Sequence, residues 1–122
     1  MTPAEKYHQE QVARIGCIAC LLDGHESPSV SIHHVHGRTR KHAHMMVLPL
    51  CAGHHQARVG VNRELTAVHP YKARFEQLYG PQDSLLTLVE AIIGGLLRQS
   101  DLLDNHRQYV GQLRGEQNAV LS

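Results

Sequence analysis

Cys17-Ile18-Ala19-Cys20 and Cys51-Ala52-Gly53-His54-His55 are the two short stretches from which the fold of this chain can be read. Each stretch places two metal-binding side chains three positions apart, and together they supply three thiols and one imidazole. Zn²⁺ prefers these ligands, and structural zinc is four-coordinate. We therefore expect one closed structural zinc site of the Cys3His type, formed by Cys17, Cys20, Cys51 and His54.

A second interpretation makes Cys17 and Cys20 a redox pair and leaves Cys51 as a small buried apolar residue. A redox pair of this spacing normally follows a strand and opens a helix in a thioredoxin-like unit, and the neighbouring sequence lacks that order. The odd count of three cysteines argues against a disulfide framework. No recognisable secretory signal precedes them, so we expect reduced thiols in a cytoplasmic protein.

The composition favours a small domain that a metal helps to stabilise. A chain of 122 residues buries only about two-thirds of its unfolded surface. With one Phe, four Tyr and no Trp, the core has to be built from Leu, Ile and Val. The longest apolar stretch, residues 85–97, is interrupted by Glu90 and is too short to cross a bilayer, so no membrane partner is expected.

Local signals in the first half predict a helix, a hairpin and a second helix. Thr2-Pro3-Ala4-Glu5 has the form of a capping box, and Gly16 is typical of a helix end. Residues 30–34 alternate β-branched side chains and predict a strand, and the apolar run 45–50 predicts its partner. We expect the second helix to run from Cys51 to about Arg58.

The second half is predicted to be helical. Residues 70–79 form a short helix closed by Gly80, and apolar residues recur at helical spacing over 85–97, although Gly94-Gly95 weakens that helix. A last helix is expected over residues 101–113. We divide the chain into a core, residues 1–80, and a helical extension, residues 81–122, that packs on the same domain. These last helices either cap the core or form a dimer interface, so the expected state is a monomer or a homodimer.

Positive charge is concentrated between His33 and Phe75. This segment holds seven basic residues and one acidic residue, whereas the rest of the chain holds five basic and ten acidic residues. The excess falls on the histidine-bearing segment, where a nucleic-acid backbone would need it, although a solvated surface gives the same pattern. We expect DNA to contact the loop between the strands and the basic residues behind it, namely Arg38, Arg40, Lys41, Arg58 and Arg63.

The predicted order is strand, loop, strand and helix. The first strand carries Ile32-His33-His34-Val35, and Leu48-Pro49-Leu50-Cys51-x-x-His54-His55 follows it. This arrangement resembles the HNH nucleases, the ββα-metal group. More narrowly, the chain resembles the phage recombination-enhancement nucleases that act with RecA filaments. That resemblance covers residues 1–97 and includes Gly16-Cys17-Ile18, Ala43-His44, His69 and Tyr79-Gly80. It implies a small α+β fold with flanking helices, DNA as the substrate and RecA filaments as a partner.

The resemblance also implies roles for the remaining histidines. His34, the second residue of the pair, maps to the general base. His33, His55 and His69 map to ligands of a catalytic divalent metal, Mg²⁺ or Mn²⁺, with Zn²⁺ as the other choice. Phosphodiester hydrolysis needs a base to deprotonate water and a cation to neutralise charge. An imidazole titrates near pH ~6.5, so such a base is available at cell pH.

The chain departs from the superfamily pattern where an Asn normally ties down the loop between the strands. Met46 stands at that position, and we expect His44 to take the role in the catalytic site. The missing Asn keeps two other functions open. One is a zinc-dependent DNA-binding module whose catalytic site has decayed. The other is an interaction protein whose helices bind a recombinase.

Overall fold

A two-stranded antiparallel sheet and the helices around it make up the α+β fold. The structure is a computed structural model that describes residues 1–57 and 65–113. Strand β1 (Ser31–His34) pairs with β2 (Val47–Leu50), with Ser31 opposite Leu50 and His34 opposite Val47. The predicted hairpin is therefore present, and both strands are shorter than their apolar runs. A short 3-10 helix, Ala43–Met45, precedes β2.

Helix α1 (Pro3–Ile15) begins and ends where the capping signals predict. The Thr2 hydroxyl accepts from the Glu5 amide at 3.1 Å, and the Glu5 carboxylate accepts from the Thr2 amide at 2.8 Å. Gly16 ends the helix with a φ of 81°. A Cβ at Gly16 would lie 3.0 Å from the carbonyl oxygen of Ser27, so the position suits glycine alone. The buried face of α1 carries Val12 and Ile15.

The first cysteine pair lies on a short helix that the sequence did not predict. Helix α2 (Ile18–Leu22) is capped by Cys17, whose sulfur accepts from the Cys20 amide at 3.4 Å. All five residues of α2 are buried. The helix therefore anchors one side of the thiol cluster in the core.

Helix α3 (Ala52–His55) is shorter than predicted, because the chain becomes extended at Gln56. Gln56 forms an isolated parallel bridge with His69, and the Ala57 amide donates to the His69 carbonyl at 2.8 Å. These backbone bonds replace the next helical turn, so the prediction that the helix continues toward Arg58 is wrong. Arg58 itself lies outside the described residues. The bridge brings His69 alongside His55.

Four further helices follow: α4 (Lys72–Tyr79), α5 (Gln82–Ile93), α6 (Gln99–Asp104) and α7 (His106–Leu113). The predicted helix over 85–97 was wrong at its end, since Gly94 and Gly95 turn the chain after Ile93. The predicted single helix over 101–113 is two helices that meet at Asn105. A side chain at Gly80, the residue that ends α4, would collide with Leu113, so the end of α7 packs closely on the end of α4.

The core contains apolar residues from α1, α2, β2 and the helices of the second half. Its largest fully buried members include Ile18, Leu21, Leu48, Leu50, Phe75, Leu85 and Leu102. As predicted, aliphatic side chains dominate it, with Phe75 as its largest fully buried side chain. Among the described residues, no helix combines the length and apolarity needed to span a membrane. The domain boundaries proposed from the sequence stay a prediction.

Candidate metal centres and catalytic cleft

The four residues of the predicted structural zinc site converge in the core. The Nδ1 atom of His54 lies 3.4, 3.5 and 3.3 Å from the sulfurs of Cys17, Cys20 and Cys51, and the Cys20 and Cys51 sulfurs are 3.8 Å apart. A tetrahedral ion with Zn–S bonds of ~2.3 Å and a Zn–N bond of ~2.0 Å sets its ligand atoms roughly 3.5–3.8 Å apart. The cluster therefore has the size and the donor set of a Cys3His metal site, and all three cysteines are free.

The protonation of the cluster is coupled to metal binding. A hydrogen bond with Cys17 and burial raise the pKa of Cys51 to about 12. The Cys51 thiol therefore resists ionisation when no cation is close. A metal ion reverses this preference, because thiolates are its ligands and binding releases the protons.

Two residues that were not predicted to support the zinc site, Tyr79 and Asp23, complete the surroundings of His54. The Tyr79 hydroxyl donates to the Asp23 carboxylate at 2.8 Å and lies 2.9 Å from Nε2 of His54. Because that hydroxyl gives its hydrogen to Asp23, it accepts from His54, so Nδ1 is the nitrogen that faces the sulfurs. Burial lowers the pKa of His54, but hydrogen bonds to Asp23 and Cys17 outweigh it and raise the pKa to about 10, so a metal would displace the proton on Nδ1. Tyr79 is 25 residues from His54 along the chain, so no local motif could reveal the pairing.

The three predicted ligands of the catalytic metal form a second cluster. His33 lies on β1, His55 ends α3, and His69 is held beside them by the bridge to Gln56. Their ligand nitrogens lie within 4.8 Å of one another, and the ring centroids are 5.1 to 5.6 Å apart. His33 is buried, His55 is half-buried and His69 is exposed, so the cluster opens to solvent on one side.

Neutral imidazoles bind metals, and the environment favours the neutral form of His33 and His55. Burial lowers the pKa of His33 to about 4, against the opposing effect of a hydrogen bond to Gln82, and the nearby rings of His55 and His69 lower it further. Burial, followed by the nearby His69, also lowers the pKa of His55. The lone pairs of His33 and His55 are therefore available at neutral pH without loss of a proton.

His34, the predicted base, points away from this cluster toward His44. Its Nε2 atom lies 3.0 Å from Nδ1 of His44, and the two rings meet edge to face. Burial, and then the charges of Arg38 and His44, lower the pKa of His34. Both His34 and the metal-ligand candidates line one cleft of about 490 Å³. The structure thus brings the predicted base and the predicted catalytic ligands to the same cavity.

A family model described as recombination enhancement, RecA-dependent nuclease matches residues 1–93. The chain belongs to this family. The match includes both histidine and cysteine clusters and the His34–His44 pair. The family-level resemblance indicated by the motifs is confirmed, and with it the assignment to nucleases of recombination.

In this RecA-dependent nuclease, helix α1 holds the turn that carries His44. The Gln9 side-chain amide donates to the His44 carbonyl at 3.0 Å, and Nε2 of His8 lies 3.0 Å from the Met45 carbonyl. Met46 follows this turn. The sequence did not predict that α1 contributes to the site, because these contacts span more than 30 residues of chain.

One of the basic residues predicted to contact DNA, Arg38, lines the cleft of this family member. Arg38, Arg40 and Lys41 are exposed in the loop after β1, and Arg38 also lines the cleft. Lys72, at the start of α4, lines it from another side. The other two predicted contacts, Arg58 and Arg63, lie outside the described residues.

Proposed function

We propose that this protein is a metal-dependent HNH endonuclease that hydrolyses DNA phosphodiester bonds in phage recombination. One observation supports this function above the others: His34, which is paired with His44, lines the same cleft as the cluster of His33, His55 and His69. Two antiparallel strands followed by a helix carry most of these residues, which is the order of an HNH core. The alternatives, a DNA-binding module without activity or a recombinase-binding protein, would not require a base beside a second metal-ligand cluster.

His34 acts as the general base in this mechanism. With His34 Nε2 donating to Nδ1 of His44, the lone pair on Nδ1 of His34 is free to take a proton from the attacking water. The lowered pKa keeps this imidazole neutral at cell pH. His44 is a positioning residue, since it fixes the ring and the tautomer of His34.

His33, His55 and His69 would hold the catalytic cation. When bound there, a divalent metal supplies positive charge to the phosphoryl group and to the leaving oxygen. Three imidazoles without a carboxylate favour Mn²⁺ or Zn²⁺ over Mg²⁺, which prefers oxygen ligands. The cluster of Cys17, Cys20, Cys51 and His54 would hold the structural Zn²⁺, whose buried position suits a role in folding.

Basic side chains around the cleft would bind the DNA backbone. Arg38 and Lys72 line the cavity, and Arg40 and Lys41 extend the positive surface along the exposed loop. Arg58 and Arg63 are proposed to contribute from the segment after α3. Flexible cationic side chains contact phosphates more often than base edges, so we expect little sequence preference.

Nicking of supercoiled plasmid DNA tests the function. The zinc-loaded protein is incubated with Mg²⁺, Mn²⁺ or Zn²⁺, each with and without RecA filaments, because the family description makes RecA the expected partner. We expect metal-dependent cleavage that requires the filaments and is lost in His34→Ala. His25→Ala is the matched control, since His25 is exposed and lies outside both histidine clusters.

The alternatives give different results in the same experiment. Salt-dependent DNA binding without cleavage under any metal would indicate a DNA-binding module. Binding to RecA filaments without any DNA affinity of its own would indicate an interaction protein. Cleavage by His34→Ala at the rate of the parent would place the base elsewhere.

A further inference from the structure

One buried polar residue near the catalytic cleft has no role in the mechanism above. The described part of the chain buries three polar or charged residues, and two of them, His33 and His54, belong to the metal-ligand clusters. The third is Gln82, the first residue of α5, which is 6% exposed and lines the cleft. Its Oε1 atom lies 2.7 Å from Nε2 of His33, and its Nε2 atom lies 3.4 Å from the Glu76 carboxylate.

These contacts determine where the hydrogens lie. An ionised carboxylate only accepts hydrogen bonds, so the side of Gln82 that faces Glu76 must be its NH₂ group. The opposite side of the amide, Oε1, then faces His33. A carbonyl oxygen also only accepts, so Nε2 of His33 must carry the hydrogen. In the neutral ring, Nδ1 is then the only nitrogen of His33 with a free lone pair.

We propose that Glu76 and Gln82 form a hydrogen-bonded relay that holds His33 in the Nε2–H tautomer, so that it binds the catalytic metal through Nδ1. Gln82 is thus a positioning residue for the proposed metal site, and this inference rests on the proposed function. Glu76 lies on α4, Gln82 on α5 and His33 on β1, so both helices contribute to the proposed site. Hydrogen-bond partners of metal-bound histidines fix the ring and the tautomer in the same way.

The tautomer of His33 can be read directly from nitrogen chemical shifts. Protein with ¹⁵N-labelled histidines and zinc only in the Cys3His site is examined at pH 7.5, with the His33 signals assigned from a His33→Asn variant. We expect Nε2 to be protonated in the parent. In Glu76→Lys the ammonium group donates to Oε1 of Gln82, which turns the NH₂ group toward His33 and shifts the population to the Nδ1–H form. Glu90→Lys, the same charge change at an exposed position of α5, should leave the tautomer unchanged.

Metal affinity gives a second readout. Mn²⁺ and Zn²⁺ binding to the histidine cluster is measured by calorimetry in the parent and in Gln82→Leu, which keeps the size of the side chain and removes the acceptor. We expect affinity to fall about 10- to 100-fold. Gln108→Leu, at an exposed position of α7, is the control and should bind as the parent does. Circular dichroism and Cys3His zinc content show whether each variant is folded.

Several results would overturn the relay. Protonated Nδ1 in the parent would do so, as would parent-like affinity in folded Gln82→Leu or metal attachment at Nε2 of His33. Failure of the relay and failure of the proposed function remain distinguishable. If the parent cleaves DNA but His33 carries its hydrogen on Nδ1, only the relay is refuted. If the parent has the expected tautomer but never cleaves DNA, the proposed nuclease function is refuted.

Discussion

Replacing Tyr79 by Phe should weaken zinc binding in the Cys3His cluster without changing any ligand. The hydroxyl that is removed lies 2.9 Å from His54 and 2.8 Å from Asp23, and Tyr79 is buried, so water cannot readily take its place. A buried hydrogen bond contributes about 0.5–1.5 kcal/mol, or about 1.5–3 kcal/mol when one partner is charged. Asp23 lies 3.4 Å from His54 and can replace part of this support. We therefore expect a loss of about 1.4–2.8 kcal/mol, which corresponds to roughly 10- to 100-fold in zinc affinity.

Competition with a chelator of known affinity measures this loss. The zinc-loaded parent and Tyr79→Phe are titrated with the chelator, and zinc release is followed with a metallochromic indicator. Tyr7→Phe is the matched control, because Tyr7 is exposed on α1. We expect release from Tyr79→Phe at a chelator concentration 10- to 100-fold lower than from the parent. Equal release midpoints for all three proteins would show that Tyr79 does not support His54, and absence of zinc from the folded parent would refute the site itself.

Three further predictions concern the cleft. Burial, and then nearby positive charge, lower the pKa of His34 below 6.5. The base should therefore stay neutral and cleavage stay active below pH 6.5, and activity should fall as the pH drops through the lowered pKa. A pH profile of kcat/KM with its acid limb above 6.5 would contradict this. Gln9→Ala removes the bond to the His44 carbonyl and should lower kcat more than it raises KM, whereas Gln11→Ala, which changes the same residue type on the same helix, should do neither in a plasmid-nicking assay. Replacing Arg38, Arg40 and Lys41 by Ala should weaken the salt dependence of DNA binding, measured with catalytic metal withheld. The slope of log affinity against log salt concentration should fall by about one unit for each phosphate that is no longer neutralised. An unchanged slope would mean that these three residues do not bind the backbone.

The sequence predicted which cysteines and histidines cluster better than it predicted the residues around them. Cysteines and histidines three positions apart are informative because a short turn brings them to one metal, whatever the rest of the fold does. The capping signals of Thr2 and Glu5 were equally reliable, since their hydrogen bonds form within one helical turn. The end of α3 was predicted wrongly, because the backbone at Gln56 pairs with His69, and no local signal shows a contact over that separation.

The supporting residues could not be predicted for the same physical reason. Tyr79, Gln82 and Gln9 each form a hydrogen bond to a residue of the candidate sites that lies at least 25 positions away. In the sequence they are ordinary polar or aromatic side chains on helices. Only the packing of α1, α4 and α5 around the sheet gives them partners, so their roles emerge from tertiary structure alone.

The two metal-ligand clusters are joined through one short helix. His54 and His55 are consecutive residues of α3, and successive helical side chains point about 100° apart, which follows from 3.6 residues per turn. One imidazole therefore faces the three sulfurs while the next faces His33 and His69. A helix of four residues has little stability of its own, so a metal in the Cys3His cluster would fix its position. The proposed structural zinc would thus set the geometry of the proposed catalytic site, because the two sites share the backbone between His54 and His55.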